Sequence, residues 1–559
     1  MSRHGRPSKI FILALGSALT LGSAAPQAFA DVKQSGYSKR DSALYRDAFD
    51  QNIYYEGTQY LHLERLSRGL TGVRKRAQDV NLYDEIPDSN FFTNRHGREQ
   101  MSLDALKQGA AEGDKPGRGE HWTITKGKFQ GITPGFFVRN EKGEKFLLKF
   151  DPMDSFEMAT GAEAVTSRFL YALGYNVPEY SLVYFKKDQL GIQEGARIYD
   201  ESGFRRKLTP DRLEEFLLFV PESEDGASYR ASASRFLSGE ILGPMKLQGR
   251  RKEDTDDPVN HEDRREIRAL QVFNAWLNNN DVREGNTLDV VQDRDGKSQI
   301  VHYLIDFNSG LGATPRGPKP PMFGHEHMVD YGEATKAFLS FGFWKKPWQK
   351  RWDGAGRETV SPAVGYFDNR ELNPGRYKSQ LPHFPFKDLG RADGFWAAKI
   401  LMKFTDEEIG AIVSTGEFSK KEDEEYLTKT LIERRDVIAR YWFAASCPLD
   451  EFELEEAGGG SYDIHFEDLR VRHGFVPKDG RTYLADVIVR KGNRELHLLR
   501  NEIHEPRLRI EAEWLREQPS FKVVLRTRSS DGRDWGPFVR VGIQSEAGTA
   551  RLSEIFHQD

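Results

Sequence analysis

"NNNDVREGN", residues 278–286, follows the apolar run "EIRALQVFNAWL" (266–277) and sets four amides, two acids, an arginine and a glycine within nine positions. Fifteen residues further on, "VHYLIDFNSGLG" (301–312) begins as a short apolar run and stops at Asp306. The first run carries Ile267, Leu270, Phe273, Trp276 and Leu277 at helical spacing and predicts a buried helix. The second pairs naturally with "NTLDVVQD" (286–293), because "RDGK" between them is a hairpin turn signal. Asp281, Asn286 and Asp306 are therefore expected at the ends of rigid, buried segments. Such mounts suit groups that must hold a cation or a reacting hydroxyl in place.

Upstream, "WTITKGKFQGITPGFFVRNEKGEKFLLKFDP" (122–152) alternates between apolar and polar residues with glycines between, which predicts a hairpin or three-stranded meander whose last strand carries Lys149. "FEMATGAEAVTSRFLYALGYNVPEY" (156–180) predicts a helix with Ala162, Val165, Phe169 and Leu173 on one face, a stop at Gly174, and Glu163 along its length. This order has a chemical reading. Phosphoryl transfer from a nucleotide needs a cation on the phosphates and an acid to hold that cation. It also needs an acid at the attacking hydroxyl, and an amide with a second acid for magnesium, which prefers oxygen ligands.

Residues 122–445 resemble the protein-kinase-like superfamily in its atypical branches: HipA-type kinases, CotH-type spore-coat kinases and phosphatidylinositol kinases. Asp281-Val-Arg-Glu-Gly-Asn286 has the D-x-x-x-x-N spacing of the catalytic loop, and Asp306-Phe-Asn sits where D-F-G sits. "AEAVTSRFLYALGYNVPE" is similar to the HipA-type helix and its exit, and "GITPGFFV" resembles the phosphate loop of that branch. The resemblance implies that Asp281 acts at the acceptor hydroxyl and Arg283 on the transferred charge. It implies that Lys149, held by Glu163, grips the phosphates of ATP with Gly131 and Gly135 in the loop above. Asn286 and Asp306 would hold Mg2+. The departures are specific. Asn279 and Asn280 stand where many kinases have His-Arg, Asn308 replaces the glycine of D-F-G, and the glycines at 127, 131 and 135 do not spell G-x-G-x-x-G. "EDRREIRAL" and "NTLD" also look like a family of secreted bacterial proteins, a likeness that implies no activity.

The rest of the sequence frames this segment. "MSRHGRPSK", "IFILALGSALTLG" and "AFA" at 28–30 read as the basic, apolar and small-residue parts of a secretory signal peptide, so residues 1–30 are expected to be removed and the protein exported to the periplasm or beyond the cell. Residues 31–120 are expected to form a mostly helical extension that includes an ordered loop at "NLYDEIPDSNFFTNRHG", and 121–447 the kinase-like domain. Residues 448–559, which read as strands only, are expected to form a small β-sandwich. The expected class is thus α+β: a two-lobe kinase-like fold flanked by a helical extension and an all-β domain. One cysteine, Cys447, excludes an intrachain disulfide framework and a cysteine metal site. A net charge of −5 with no run of one sign argues against nucleic-acid binding. "GHEHMVD" offers His325, His327 and Asp330 as a possible metal trio, against which stands the plain role of loop residues. "FWKKPWQKRW" (343–352) interleaves aromatics and bases, as an anionic partner surface or as loop anchors. The functional expectation is an exported phosphotransferase using ATP and magnesium on a hydroxyl of a protein, glycan or lipid. The alternatives are a catalytically inactive envelope scaffold and a nucleotidyl or other group transferase on the same fold.

Overall fold

The computed structural model describes residues 36–559 apart from 41–48, 55–62, 72–73, 114, 118, 129–132, 200–203, 224–225, 295, 347, 350–358, 493, 529–533 and 547–548. The expected signal peptide and Gly131 lie outside the described residues. No helix among the described residues is long and apolar enough to cross a membrane.

Strands β1 (Trp122–Gly127), β2 (Gly135–Arg139) and β3 (Lys145–Lys149) make an antiparallel meander. It is extended by β4 (Tyr180–Phe185) and β5 (Leu190–Ile192), and, after a small hairpin of β6 (Arg197–Tyr199) and β7 (Arg205–Lys207), by β8 (Tyr229–Arg235). The sheet order is β4-β8-β3-β2-β1-β5, with only β1–β5 parallel among its pairs. Strand periodicity sends Trp122, Phe136, Phe146, Leu148 and Phe185 to one face, where the helix Pro210–Leu217 covers them with Leu213 and Leu217. Burying each of these large side chains stabilises the sheet by about 1.5–3 kcal/mol. Lys149 alternates with Leu148 and so faces the other way, toward α1 (Met158–Leu173), which is buried at every position except Tyr171.

A second core joins α1 to α2 (Arg265–Leu277), α3 (Arg391–Leu401), α4 (Asp406–Val413) and α5 (Lys421–Ala445). Its centre is aromatic, with the Trp276 ring 4.7 Å from Phe169 and 5.4 Å from Phe404. Strands β9 (Glu240–Gly243), β10 (Thr287–Arg294) and β11 (Lys297–Leu304) form a separate three-stranded sheet. The β10–β11 hairpin turns through Gly296 at φ 75°, a left-handed value that glycine takes without strain.

Within residues 31–120 the described helices are Asp50–Tyr54, Leu63–Thr71 and Leu103–Gln108, and the described part of 74–102 carries no helix. Short polar side chains hold the rest in turns: Asn81 Oδ1 accepts from the backbone N–H of Tyr83 and Glu85, and Ser89 Oγ from those of Phe91 and Phe92. The segment is not peripheral either, because Ile86, Phe91, Phe92 and Leu106 belong to the helical core. Gly174 makes room for this. A Cβ there would stand 2.3 Å from the Phe92 ring.

From Leu449 onward a three-stranded sheet (449–456, 462–468, 507–510) and a five-stranded sheet (strands between 483 and 557) enclose one apolar cluster that includes Ile464, Val487, Val523 and Val541. The region is not strands only. Two short helices, Leu469–Arg472 and Ala512–Glu517, interrupt it, the first capped by the Asp468 side chain on the Arg470 N–H. It is also stitched to the rest: Ile555 N–H donates to Leu82 O at 2.7 Å, and Lys399 pairs with Asp450 at 2.8 Å.

Candidate active site

Three charged residues, Lys149, Glu163 and Asp306, meet between the first sheet and α1. Lys149, at the end of β3 and 4 % exposed, places Nζ 2.5 Å from Glu163 Oε1 on α1 and 2.9 Å from Asp306 Oδ1. Glu163 is fully buried, and its second oxygen accepts from Ser232 Oγ of β8. An ammonium so enclosed is costly unless acids surround it. Burial alone would lower the Lys149 pKa, but Asp306 and Glu163 outweigh it and hold it above the ordinary lysine value. Burial likewise works against the charge on Asp306, and Lys149, Lys128 and Arg283 reverse that, keeping its carboxyl below the usual aspartate value.

Asp306 follows β11 with φ 64°, a left-handed conformation that Asp tolerates better than most residues. Its N–H donates to the Tyr180 hydroxyl at 3.1 Å, which fixes the turn. Asp281 stands across the site in the loop after α2, which stops with Asn278 at φ 50°. Its Oδ1 lies 3.4 Å from Arg283 Nε. Burial and the charge of Asp306 push the Asp281 pKa up, against Arg283, making it more basic than a free carboxylate. Asn286 closes the loop by donating from Nδ2 to Asp281 O at 2.7 Å, which turns its Oδ1 away from that carbonyl. Gly135 lies opposite Lys149 in the β2–β3 register, and a Cβ on it would meet Leu148 O at 2.3 Å. That glycine has a packing reason of its own.

Several residues at the site had no sequence signal. Lys128, just after β1, donates to Thr133 O at 3.2 Å. Burial lowers its pKa, while Asp306 and Glu163 raise it and Lys149 and Arg283 add to the lowering. Asn308, in the glycine position of D-F-G, donates from Nδ2 to Thr133 Oγ1 at 3.0 Å and so ties the Asp306 turn to the β1–β2 loop.

Three residues between 319 and 383 clamp the loop after α2. Three alternate carbonyls are held from outside. Asn278 O accepts from Lys319 Nζ, Asn280 O from Gln380 N–H at 2.8 Å, and Val282 O from His383 Nε2 at 2.8 Å. Lys319 also donates to Ser309 O at 2.5 Å. Burial pushes its pKa down to about 7, against the pull of Asp281, and burial pushes that of His383 down to about 4. The imidazole is thus neutral near pH 7 and carries its proton on the nitrogen that faces the carbonyl.

The histidine trio does not form a metal centre. His327 Nδ1 is bonded to Ser379 O at 2.7 Å, and Asp330 caps the helix Tyr331–Leu339 and pairs with Lys378. No group of three metal-ligating side chains occurs among the described residues.

No family model matches the chain, and no curated protein does. Solved structures similar to it include the Helicobacter pylori proinflammatory kinase CtkA, at 13% identity and TM-score 0.31 over 58% of this chain and 96% of that one. They also include the Golgi casein kinase, at 9% identity and TM-score 0.28 over 75% and 94%, and the same kinase with Mn/ADP bound, at 9% and 0.27 over 61% and 74%. Likeness at these values carries no argument about this chain's chemistry, which rests on its own residues.

Proposed function

We propose that the protein is a kinase-fold phosphotransferase that moves a phosphoryl group from ATP with Mg2+ to a hydroxyl acceptor, and that it acts after export, in the periplasm or outside the cell. The observation that carries this reading is the Glu163–Lys149–Asp306 arrangement, a buried lysine shared by a helix acid and a turn acid at 2.5 and 2.9 Å. Asp306, about a quarter exposed beside a buried lysine, is a charged group within reach of a ligand.

The donor set fits the nucleotide–metal pair. Asp306 is ionised at neutral pH, and Asn286 bonds the Asp281 carbonyl through its Nδ2 and so keeps its amide oxygen out of that bond; carboxylate and amide oxygens are the hard donors magnesium takes. Lys149 and Lys128 supply positive charge for phosphate oxygens. When bound, the metal neutralises phosphate charge that develops during transfer. Asp281, with its raised pKa, accepts the acceptor's hydroxyl proton or orients that hydroxyl, and Arg283 stabilises the transferred charge. Export rests on the basic, apolar and small-residue order of residues 1–30.

Isothermal titration of the full chain with ATP in the presence and absence of Mg2+ tests the reading. Magnesium-dependent binding, lost in Asp306→Asn and retained in Asp281→Asn, is the expected result. Absence of any heat of binding in the wild type would reject it in favour of a non-catalytic scaffold.

A further inference from the structure

A cavity of about 1010 Å³ opens beside the clamp of the catalytic loop, with Asn278 and Lys319 in its wall. Asn278 stands three residues before Asp281, and Lys319 feels the charge of that acid. The cavity is at the upper end of the size of small-molecule sites, and nothing in the phosphotransfer reading above uses it.

Its charge is out of balance. Seven lysines and arginines line it against four acids, in a chain whose net charge is −5. Four of the seven are matched. Lys336 pairs with Glu333 at 2.7 Å and Arg370 with Asp368. Lys346 pairs with Glu326, and Lys378 reaches Asp330, just outside the lining, at 2.5 Å. What is left is Lys319, Arg376 and Arg434 against Glu371 alone. Lys319 and Arg434 are buried and make no ion pair among the described residues. The first bonds the carbonyls of Asn278 and Ser309, and the second those of Ala275, Trp276 and Asp368. Burial lowers the Arg434 pKa only to about 10, so that guanidinium stays charged at neutral pH. Arg376 is exposed and likewise makes no ion pair among the described residues, which leaves its donors open to the cavity.

The matched cations are held in place as well. Lys336 Nζ lies 5.3 Å from the centre of the Trp344 ring and Lys346 Nζ 5.8 Å from that of Trp348. The indole faces on this wall therefore carry ammonium groups, and the positive charge is fixed before any ligand arrives. A concave wall with a surplus of one sign concentrates ions of the other. The free guanidinium adds a fork that fits two oxygens of one phosphate or carboxylate. We infer that this cavity is an anion site, and that it takes a phosphate or carboxylate group of the acceptor whose hydroxyl is presented to Asp281. The role given to the acceptor rests on the phosphotransferase reading; the binding of an anion does not.

Isothermal titration of the full chain with inorganic phosphate, glycerol 2-phosphate and glutarate, in separate runs, tests the site. The variants are Arg376→Glu, which breaks no ion pair among the described residues, and Arg494→Glu, the same charge change at an exposed position of the C-terminal domain. The ATP–Mg2+ melting shift is recorded on the same proteins. The wild type should bind at least one probe. Its affinity should fall about tenfold in Arg376→Glu and less than about twofold in Arg494→Glu, where only distant, screened charge has changed, with the nucleotide shift unaltered in both. Tighter binding of glycerol 2-phosphate than of glutarate assigns a phosphate group to the acceptor, and the reverse order a carboxylate. No binding of any probe, undiminished binding in Arg376→Glu, or an equal loss in the two variants overturns the inference. Anion binding that depends on Arg376 in a protein without a nucleotide shift keeps the anion site and discards the phosphotransferase reading. A nucleotide shift without such binding discards the anion site alone.

Discussion

The two halves of the candidate site are held by different physics. On the sheet side, Lys149, Glu163 and Asp306 fix one another by charge, in burial deep enough that each depends on its partners. On the helical side, the loop from Asn278 to Asn286 is fixed through its backbone, by donors that approach its carbonyls from residues 319, 380 and 383. The first device demands particular side chains at particular places. The second asks only for a donor at the right point in space, and Gln380 serves through its backbone N–H. A site can thus be half legible in its residue types and half invisible.

The largest effect should come from the charged half. Lys149→Met leaves Glu163 buried with Ser232 as its remaining hydrogen-bond partner, and should cost about 3–5 kcal/mol of stability. Lys149→Met/Glu163→Gln should recover a good part of that loss, because the fully buried Glu163 charge is gone and Asp306, about a quarter exposed, keeps the favourable charges of Lys128 and Arg283. Urea melts of the wild type, both single variants and the double variant close the cycle. If the double variant is as unstable as Lys149→Met, charge pairing is not what holds this half.

His383→Ala breaks one clamp bond and should cost about 1–3 kcal/mol, since it strands the buried Val282 carbonyl. Its mark should be a fall in the rate of transfer with nucleotide affinity unchanged, as measured by single-turnover assays and titration. A variant that loses nucleotide affinity instead would show that the clamp and the charged half are one unit.

Lys319 gives the comparison a pH signature. Its folded pKa of about 7 lies below the ordinary lysine value of 10.5. Between these two values the unfolded chain carries a proton that the folded protein does not, so stability from this group rises with pH across that window and is flat below about 7. In Lys319→Met the rise from about pH 7 to 10 should flatten, as read from denaturation midpoints at several pH values. An unchanged slope would mean that the ammonium stays charged in the fold.

The smallest effect is expected for Asn308→Gly, which restores the usual residue of D-F-G and removes the bond to Thr133. It should lower stability by about 0.5–1.5 kcal/mol. Nucleotide affinity should fall only a few-fold, within about 1 kcal/mol. A larger loss would mean that this link, and not the Lys149 pair, governs the loop over the phosphates.

What the sequence made readable follows the same division. Asp281, Asp306 and Lys149 stood out as charged residues at the ends of apolar runs, with Asn286 and Glu163 picked by their spacing from them; Lys149, Glu163 and Asp306 share ion pairs, and Asn286 donates to the Asp281 carbonyl. The hairpin and the helices were readable from their periods. The clamp was not, because Lys319, Gln380 and His383 lie in a Pro- and Gly-rich segment without periodicity, and their targets are carbonyls that every residue has. In the N-terminal region the packing of one segment was hidden for a related reason. Its polar, helix-like stretches say nothing of "NFF", whose two phenylalanines enter the main core.

The Asp84–His557 link has a bearing on how the chain reaches its fold. The His557 N–H donates to Asp84 Oδ2 at 3.1 Å across 473 residues of chain. Neighbouring Leu82 accepts from Ile555, while Phe91 and Phe92 sit in the helical core between. On a ribosome, the strap around residue 84 emerges early but has no partner for one of its sides until synthesis has passed residue 557. Loop closure over such a span adds entropy cost with little local structure to offset it. The order of folding is therefore set: the helical core can assemble first, and the closing of the strap against the last strand is a late step. Emergence of the strand that carries Ile555 and His557, rather than any local helix, is the event that closes this strap.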